Sequence, residues 1–248
     1  MPADRAQARS GQRLRLGVLA SHPIQYQAPV FRALAARCEL DVFFAHRQSA
    51  QAQAQAGFGV AFDWDVDLLS GYRHRFLTNV AHRPGVDHFR GCNTPEIADL
   101  IRDGRYDAFL VQGWHLQCFW QAVRACRRLG VPVMVRGDSQ LGTPRGRLKQ
   151  WIKAWVYPTL LRQFDGCLYV GQRNREYLEH YGVPASRLFF APHCVDNDAF
   201  AAGAARVDRT ASRAALGDAG MSALSVSQRR TVATASSARS DSGSMHRA

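Results

Sequence analysis

Between residues 14 and 200, short apolar runs alternate with longer amphipathic stretches, and this alternation restricts the fold more than any other feature of the chain. The runs cover residues 14–20, 40–45, 106–113, 131–137, 166–171 and 188–192, with a weaker one at 75–80. Continuous hydrophobicity is what a strand needs when both of its faces are covered, as in a parallel sheet. Helical patterns fill the intervals at 29–37, 95–103, 116–129, 147–163 and 173–181, with glycine stops at Gly104, Gly130 and Gly182. Strand and helix taking turns predicts an α/β fold, a single doubly wound, Rossmann-like domain with a mainly parallel sheet over residues 14–203.

Composition sets the limits of that domain. Residues 204–248 contain no Phe, Trp or Tyr, and Ala, Ser and Arg supply 27 of the 45 positions. Such a segment buries too little apolar surface to offset its ordering entropy, so it reads as a disordered tail, as does the polar stretch 1–13. Residues 49–57 are low-complexity and read as a surface loop. The tail also holds +4 of the +12 net charge, which comes from 30 Arg and 2 Lys against 16 Asp and 4 Glu. Charge alone is thin support for a nucleic-acid partner, and none is expected. The six cysteines are dispersed with no C-x-x-C pair, which argues against a zinc site or a disulfide framework and for buried thiols. With no apolar run of 18 residues and no apolar segment near the N-terminus, the expectation is a cytoplasmic protein.

In open parallel sheets ligands bind beyond the carboxyl ends of the strands. That rule selects five loops, 21–29, 113–115, 136–142, 171–174 and 193–198. The first lacks the G-x-G-x-x-G of a dinucleotide site, and no Walker A, H-E-x-x-H or G-x-S-x-G motif occurs. Instead the chain carries LGVLASHPIQYQAPVFRALA (16–35), GFG-x-x-FDWDVDLLSGY-x-x-RFL (57–77), LVQGWH (110–115), VRGDS (135–139) and VGQRNREYLEHYGVPASRLFFAPHCVDND (170–198). Together these resemble the N-terminal half of bacterial family 4 glycosyltransferases.

The resemblance implies a GT-B architecture of two Rossmann-like domains. The N-terminal one holds a glycan, lipid-linked or small-molecule acceptor. The other holds a nucleotide-sugar donor through an E-x7-E carboxylate pair, and transfer retains anomeric configuration without a metal or other cofactor. No two of the four glutamates here lie eight apart, and the likeness ends near Leu216. The expectation is a chain that keeps the acceptor domain, through truncation or a frame change, and is inactive alone. A non-catalytic glycan-, membrane- or partner-binding module is the alternative.

His115 takes the place of the family's cleft histidine, where a neutral imidazole could contact the donor sugar; the plain alternative is a loop histidine bonded to backbone. His22, Gln25 and Tyr26 fall in the family's acceptor loop, or else serve loop packing. Asp138 reads as a cleft carboxylate, or as one half of a buried ion pair with Arg136. Arg173 and Asn174 open a helix where an anion could sit, although Asn174 could equally cap the turn. His193, Asp196 and Asn197 occupy the expected interdomain hinge. On the helix within 145–164, Leu148, Trp151, Ile152, Trp155 and Val156 form an apolar stripe flanked by Lys149 and Lys153, read as sheet-facing core or as peripheral membrane contact, with Pro158 expected to kink or end the segment.

Overall fold

The computed structural model describes residues 13–47, 67–141 and 147–206, with side chains of residues 147–152 and 199 excepted. The expectations for 1–12, 49–57 and 207–248 lie outside the described residues, as do most of the tail and half of the second motif. Seven strands form one sheet: β1 (Arg15–Ala20), β2 (Glu39–Phe44), β3 (Arg73–Phe76), β4 (Ala108–Val111), β5 (Val133–Gly137), β6 (Gly166–Tyr169) and β7 (Leu188–Phe190). Their order is β3-β2-β1-β4-β5-β6-β7, and every neighbouring pair is parallel. The order reverses direction between β1 and β4, the switch point where a doubly wound sheet opens a crevice.

Alternate residues of each strand feed two cores. Leu19, Phe43 and Val111 enter one cluster with Ile97, Ile101, Phe119 and Leu178, while Val18, Ala20, Val42, Phe44 and Leu110 enter the other with Ala28 and Phe31. The helices supply the facing layers: α1 (Ala28–Ala35), α2 (Ile97–Gly104), α3 (Gln117–Leu129), α4 (Arg147–Leu161) and α5 (Gln172–His180). With both faces covered, Val18, Leu19 and Ala20 are each wholly buried, which explains the unbroken apolar run in the sequence. Val18 and Leu19 each contribute about 1.5–3 kcal/mol by leaving water, and Ala20 less.

Gly17 has a packing reason to be glycine. It stands opposite Phe109 in the β1–β4 register, and a Cβ at that position would overlap the Phe109 ring.

Several expected boundaries move. The weak strand at 75–80 forms two residues earlier, as β3 on β2. Gly130 (φ 65°) and Gly182 (φ 84°) take the left-handed conformation that ends α3 and follows α5. At the end of α2 that conformation falls on Arg105 (φ 48°) rather than on Gly104. Helix α4 does not stop at Pro158 but continues to Leu161. A proline so near the C-terminus removes a single intrahelical bond and leaves the final turn intact, and Arg162 N–H still reaches the Pro158 carbonyl at 3.2 Å.

Among the described residues, those up to Asp196 make one compact unit and those from Asn197 belong to a second. The second begins with helix α6 (Asn197–Arg206), which runs across the composition break at 203.

Candidate functional site

A cavity of about 260 Å³ opens where β1, β4 and β5 end. Ser21, His22, Ile24, Tyr26 and Gln27 line it from the loop after β1; Gln112, Gly113, Trp114 and His115 from the loop after β4; and Arg136, Gly137, Asp138 and Ser139 from the end of β5 and beyond. Val86, Val170 and His193 complete the wall. Local sequence explains how the chain turns here. Gly113 adopts φ 129°, which a side chain would resist, and a Cβ there would lie 3.1 Å from His115 Nδ1. Gly137 lets the Trp114 ring approach, since its Cβ would lie 3.2 Å from that ring. Trp114 is held in turn by stacking on Tyr177 (6.4 Å between centroids) and by Trp120 Nε1–H donating to its carbonyl at 2.8 Å.

Three histidines face this space in neutral form. Burial pulls His22 down to about 4, helped by His46 and His115, and Ser21 Oγ lies 3.0 Å from its Nδ1. His115 reaches solvent at the rim, yet the surrounding protein lowers its pKa, against an opposing pull from Asp138. Its ring rests at 5.7 Å on the edge of Phe119. His193 is lowered by desolvation and by the Arg136 guanidinium, again opposed by Asp138. The Tyr26 ring meets His193 edge-on at 4.4 Å, and burial followed by Asp138 raises its phenol. Neutral imidazoles, a phenol and one exposed carboxylate give a mixed set of donors and acceptors beside aromatic faces, which suits a polyhydroxylated ligand.

The structure therefore brings His22, Tyr26, His115, Asp138 and His193 together, from four separate loops. Gln25, Arg173 and Asp196 do not line the cavity, and Asn197 belongs to the second unit. Asp196 instead pairs with Arg32 at 3.2 Å. Asn174 is buried with its side chain committed to backbone: Nδ2–H donates to Ser139 O at 2.8 Å, and Oδ1 accepts from Val170 N–H at 3.2 Å. It ties the loop after β6 to the loop after β5. The Arg136–Asp138 ion pair is replaced by a different arrangement. Arg136 is buried but donates to the carbonyls of Ala191 (3.1 Å) and Pro192 (3.0 Å), while Asp138 stands exposed.

Ser21, Gln27, Trp114 and Ser139 were not singled out by sequence. Only their position in the selected loops hinted at them. On α4, Trp155 and Val156 turn outward, 71% and 44% exposed, so this part of the stripe is not sheet-facing core. Lys153 Nζ sits 4.6 Å above the Tyr157 ring. Among the described residues, no group of three His, Cys, Asp or Glu is arranged to hold a metal ion, and no helix is long and apolar enough to cross a membrane.

No curated protein matches the chain. Similar solved structures include Anabaena HepE, determined with UDP and glucose, at 12% identity over 75% of this chain and 46% of that one, with a TM-score of 0.48. UDP-N-acetylglucosamine 2-epimerase from Rickettsia bellii aligns at 13% identity over 79% of this chain and 50% of its own, with a TM-score of 0.49. MurG from Acinetobacter baumannii aligns at 11% identity over 74% and 69%, with a TM-score of 0.32. The chain thus spans about half the length of the first two. The sequence profile of the glycosyl transferase 4-like domain matches residues 23–194, a stretch that includes every residue lining the cavity except Ser21 and His22. That match takes in well over half of the sequence, and the chain belongs to the glycosyl transferase 4-like domain family.

Proposed function

We propose that this chain is the acceptor-binding half of a retaining GT-B glycosyltransferase, in which a sugar passes from a nucleotide-sugar donor to a glycan, lipid-linked or small-molecule acceptor. The observation that carries this reading is the convergence of Tyr26, His115, Asp138 and His193 on one cavity inside the stretch that matches the family. In this role Tyr26 offers a face for a sugar ring, and Asp138 accepts a hydroxyl proton in a hydrogen bond. His115, neutral at pH 7, has one ring nitrogen to donate and one to accept. His22, whose Nδ1 is engaged by its neighbour Ser21, adds a further neutral imidazole to the wall.

The four glutamates of this sequence include no pair eight apart, so the 248-residue chain by itself carries no donor carboxylates of that spacing. It is expected to bind sugar and not to transfer it. Incubation with UDP-glucose and a methyl glycoside tests this: little or no product is expected, and turnover that disappears in His115→Ala would refute inactivity while strengthening the family role of His115.

A second reading, a non-catalytic module that docks on a membrane or partner, draws on the outward-facing Trp155 and Val156 beside Lys153. Its test is flotation with vesicles containing phosphatidylglycerol. Binding lost in Trp155→Ser with Val156→Ser supports it, and absence of binding by the unaltered chain removes it.

A further inference from the structure

We propose that the cavity receives an anionic group of its ligand, a phosphate or a carboxylate, and that Arg136 together with His193 forms the receiving end. The inference rests on the reading of this cavity as a sugar site. Arg136 is the only buried arginine among the described residues, 6% exposed, and it lines the cavity. Surface arginines such as Arg73, Arg75 and Arg102 lie within 3.2 Å of carboxylates, whereas Arg136 has no carboxylate within ion-pair reach among the described residues. Its contacts are the two carbonyls at 3.1 and 3.0 Å and His193 Nδ1 at 3.2 Å from Nη2. All three partners are neutral. They satisfy N–H groups but do not neutralise the buried charge, which feels Asp138 only from beyond ion-pair distance, and such a charge is costly until an anion joins it.

The donors that remain fit an oxyanion. Nη1 carries no hydrogen bond to any described residue, and a guanidinium offers its N–H groups in a planar fork matched to carboxylate or phosphate oxygens. Because His193 Nδ1 accepts from Arg136, the neutral ring keeps its proton on Nε2, so the residue presents a second donor. Asp138 is the other charged residue of the wall. It is exposed and stands outside ion-pair distance, but its charge is felt at Arg136 and at His193, so it opposes an incoming anion without neutralising the guanidinium. An arginine that merely braced the 191–193 segment would lower stability when removed but would give the cavity no preference between charged and neutral sugars.

Calorimetric titration of the 248-residue chain at pH 7.5 with methyl glucoside, glucose 6-phosphate and uridine diphosphate separates these cases. At least one phosphorylated probe is expected to bind about tenfold more tightly than methyl glucoside, the worth of one charge-assisted hydrogen bond, and to weaken as salt rises. Tighter glucose 6-phosphate assigns the anion to an acceptor, and tighter uridine diphosphate to a donor. Arg136→Met should erase the preference, and Asp138→Asn should enlarge it several-fold. If Arg136→Met fails to fold, Asp138→Asn decides through the ratio of phosphorylated to neutral probe affinity, since a lost sugar contact weakens both glucose probes alike and Asp138, exposed, makes no hydrogen bond or ion pair to another described residue. Equal binding of neutral and phosphorylated probes, or a preference unmoved by both substitutions, overturns the inference and leaves the sugar-site reading standing. Binding of none of the three probes removes both.

Discussion

Acidification should destabilise this domain through His22 in a measurable and assignable way. The imidazole is held at about 4 by burial and by His46 and His115, against 6.5 when the chain is unfolded. Between those values the unfolded state takes up a proton that the folded state refuses, so stability falls as the pH drops through that window and is nearly all regained by pH 7. At pH 4.5 the difference in proton binding amounts to about 2.5 kcal/mol, and at pH 7 to about 0.2 kcal/mol. Against a total stability of about 5–15 kcal/mol this is a large share. Urea unfolding followed by circular dichroism, at pH 7 and at pH 4.5, provides the assay. His22→Gln keeps a polar side chain that cannot titrate, and it should lessen the acid-induced loss by about 2 kcal/mol while altering stability at pH 7 much less. Carboxylate titration is common to both proteins and cancels in the comparison. Equal acid losses in the two would refute the reasoning, because that result means that His22 protonates freely in the folded state.

Two further substitutions probe the scaffold of the site. Asn174→Ala strands the Val170 N–H and the Ser139 carbonyl, and it should cost about 2–4 kcal/mol in urea unfolding; a loss under 0.5 kcal/mol would show that the two loops are held by something else. Gly17→Ala drives a methyl group into the Phe109 ring and should cost about 1–3 kcal/mol. Adding Phe109→Leu should return part of that loss, so the pair should couple by more than about 0.5 kcal/mol in a double-mutant cycle, and additive losses would contradict the close packing of β1 on β4.

The sheet was legible because its evidence is local. Runs such as the one at 16–20 stay apolar on consecutive residues, as a strand buried on both faces requires, and their short length and alternation with helical stretches give the fold class and strand number. The candidate site was legible one level higher, through the rule that the loops beyond the strand carboxyl ends converge. What stayed hidden depends on partners far away in the sequence. Asn174 reads as a cap or a ligand group until the Ser139 carbonyl, 35 residues earlier, is seen against it. Arg136 ends an otherwise apolar run, a sign that its charge is buried. The guess of Asp138 as its partner used the nearest carboxylate in sequence, whereas the actual partners arrive 55 to 57 residues later. Gly17 carries no signal of its own, because its constraint comes from a ring on a neighbouring strand. The stripe on α4 left two readings open, because helical periodicity says that one face is apolar but not whether that face meets the sheet, and the outward-facing Trp155 and Val156 remove the sheet-facing one for this part of the helix.

The central claim is that the cavity among the loops after β1, β4 and β5 is a sugar site. Saturation-transfer NMR on the 248-residue chain at pH 7.5, with methyl glucoside, methyl mannoside and methyl galactoside as probes, tests it most directly. Saturable transfer to at least one glycoside is expected, abolished by His115→Ala and by Tyr26→Ala in proteins that remain folded, and fading as the pH falls and the cavity histidines become charged. Transfer to none of the three, or transfer that survives both substitutions unchanged, would contradict it.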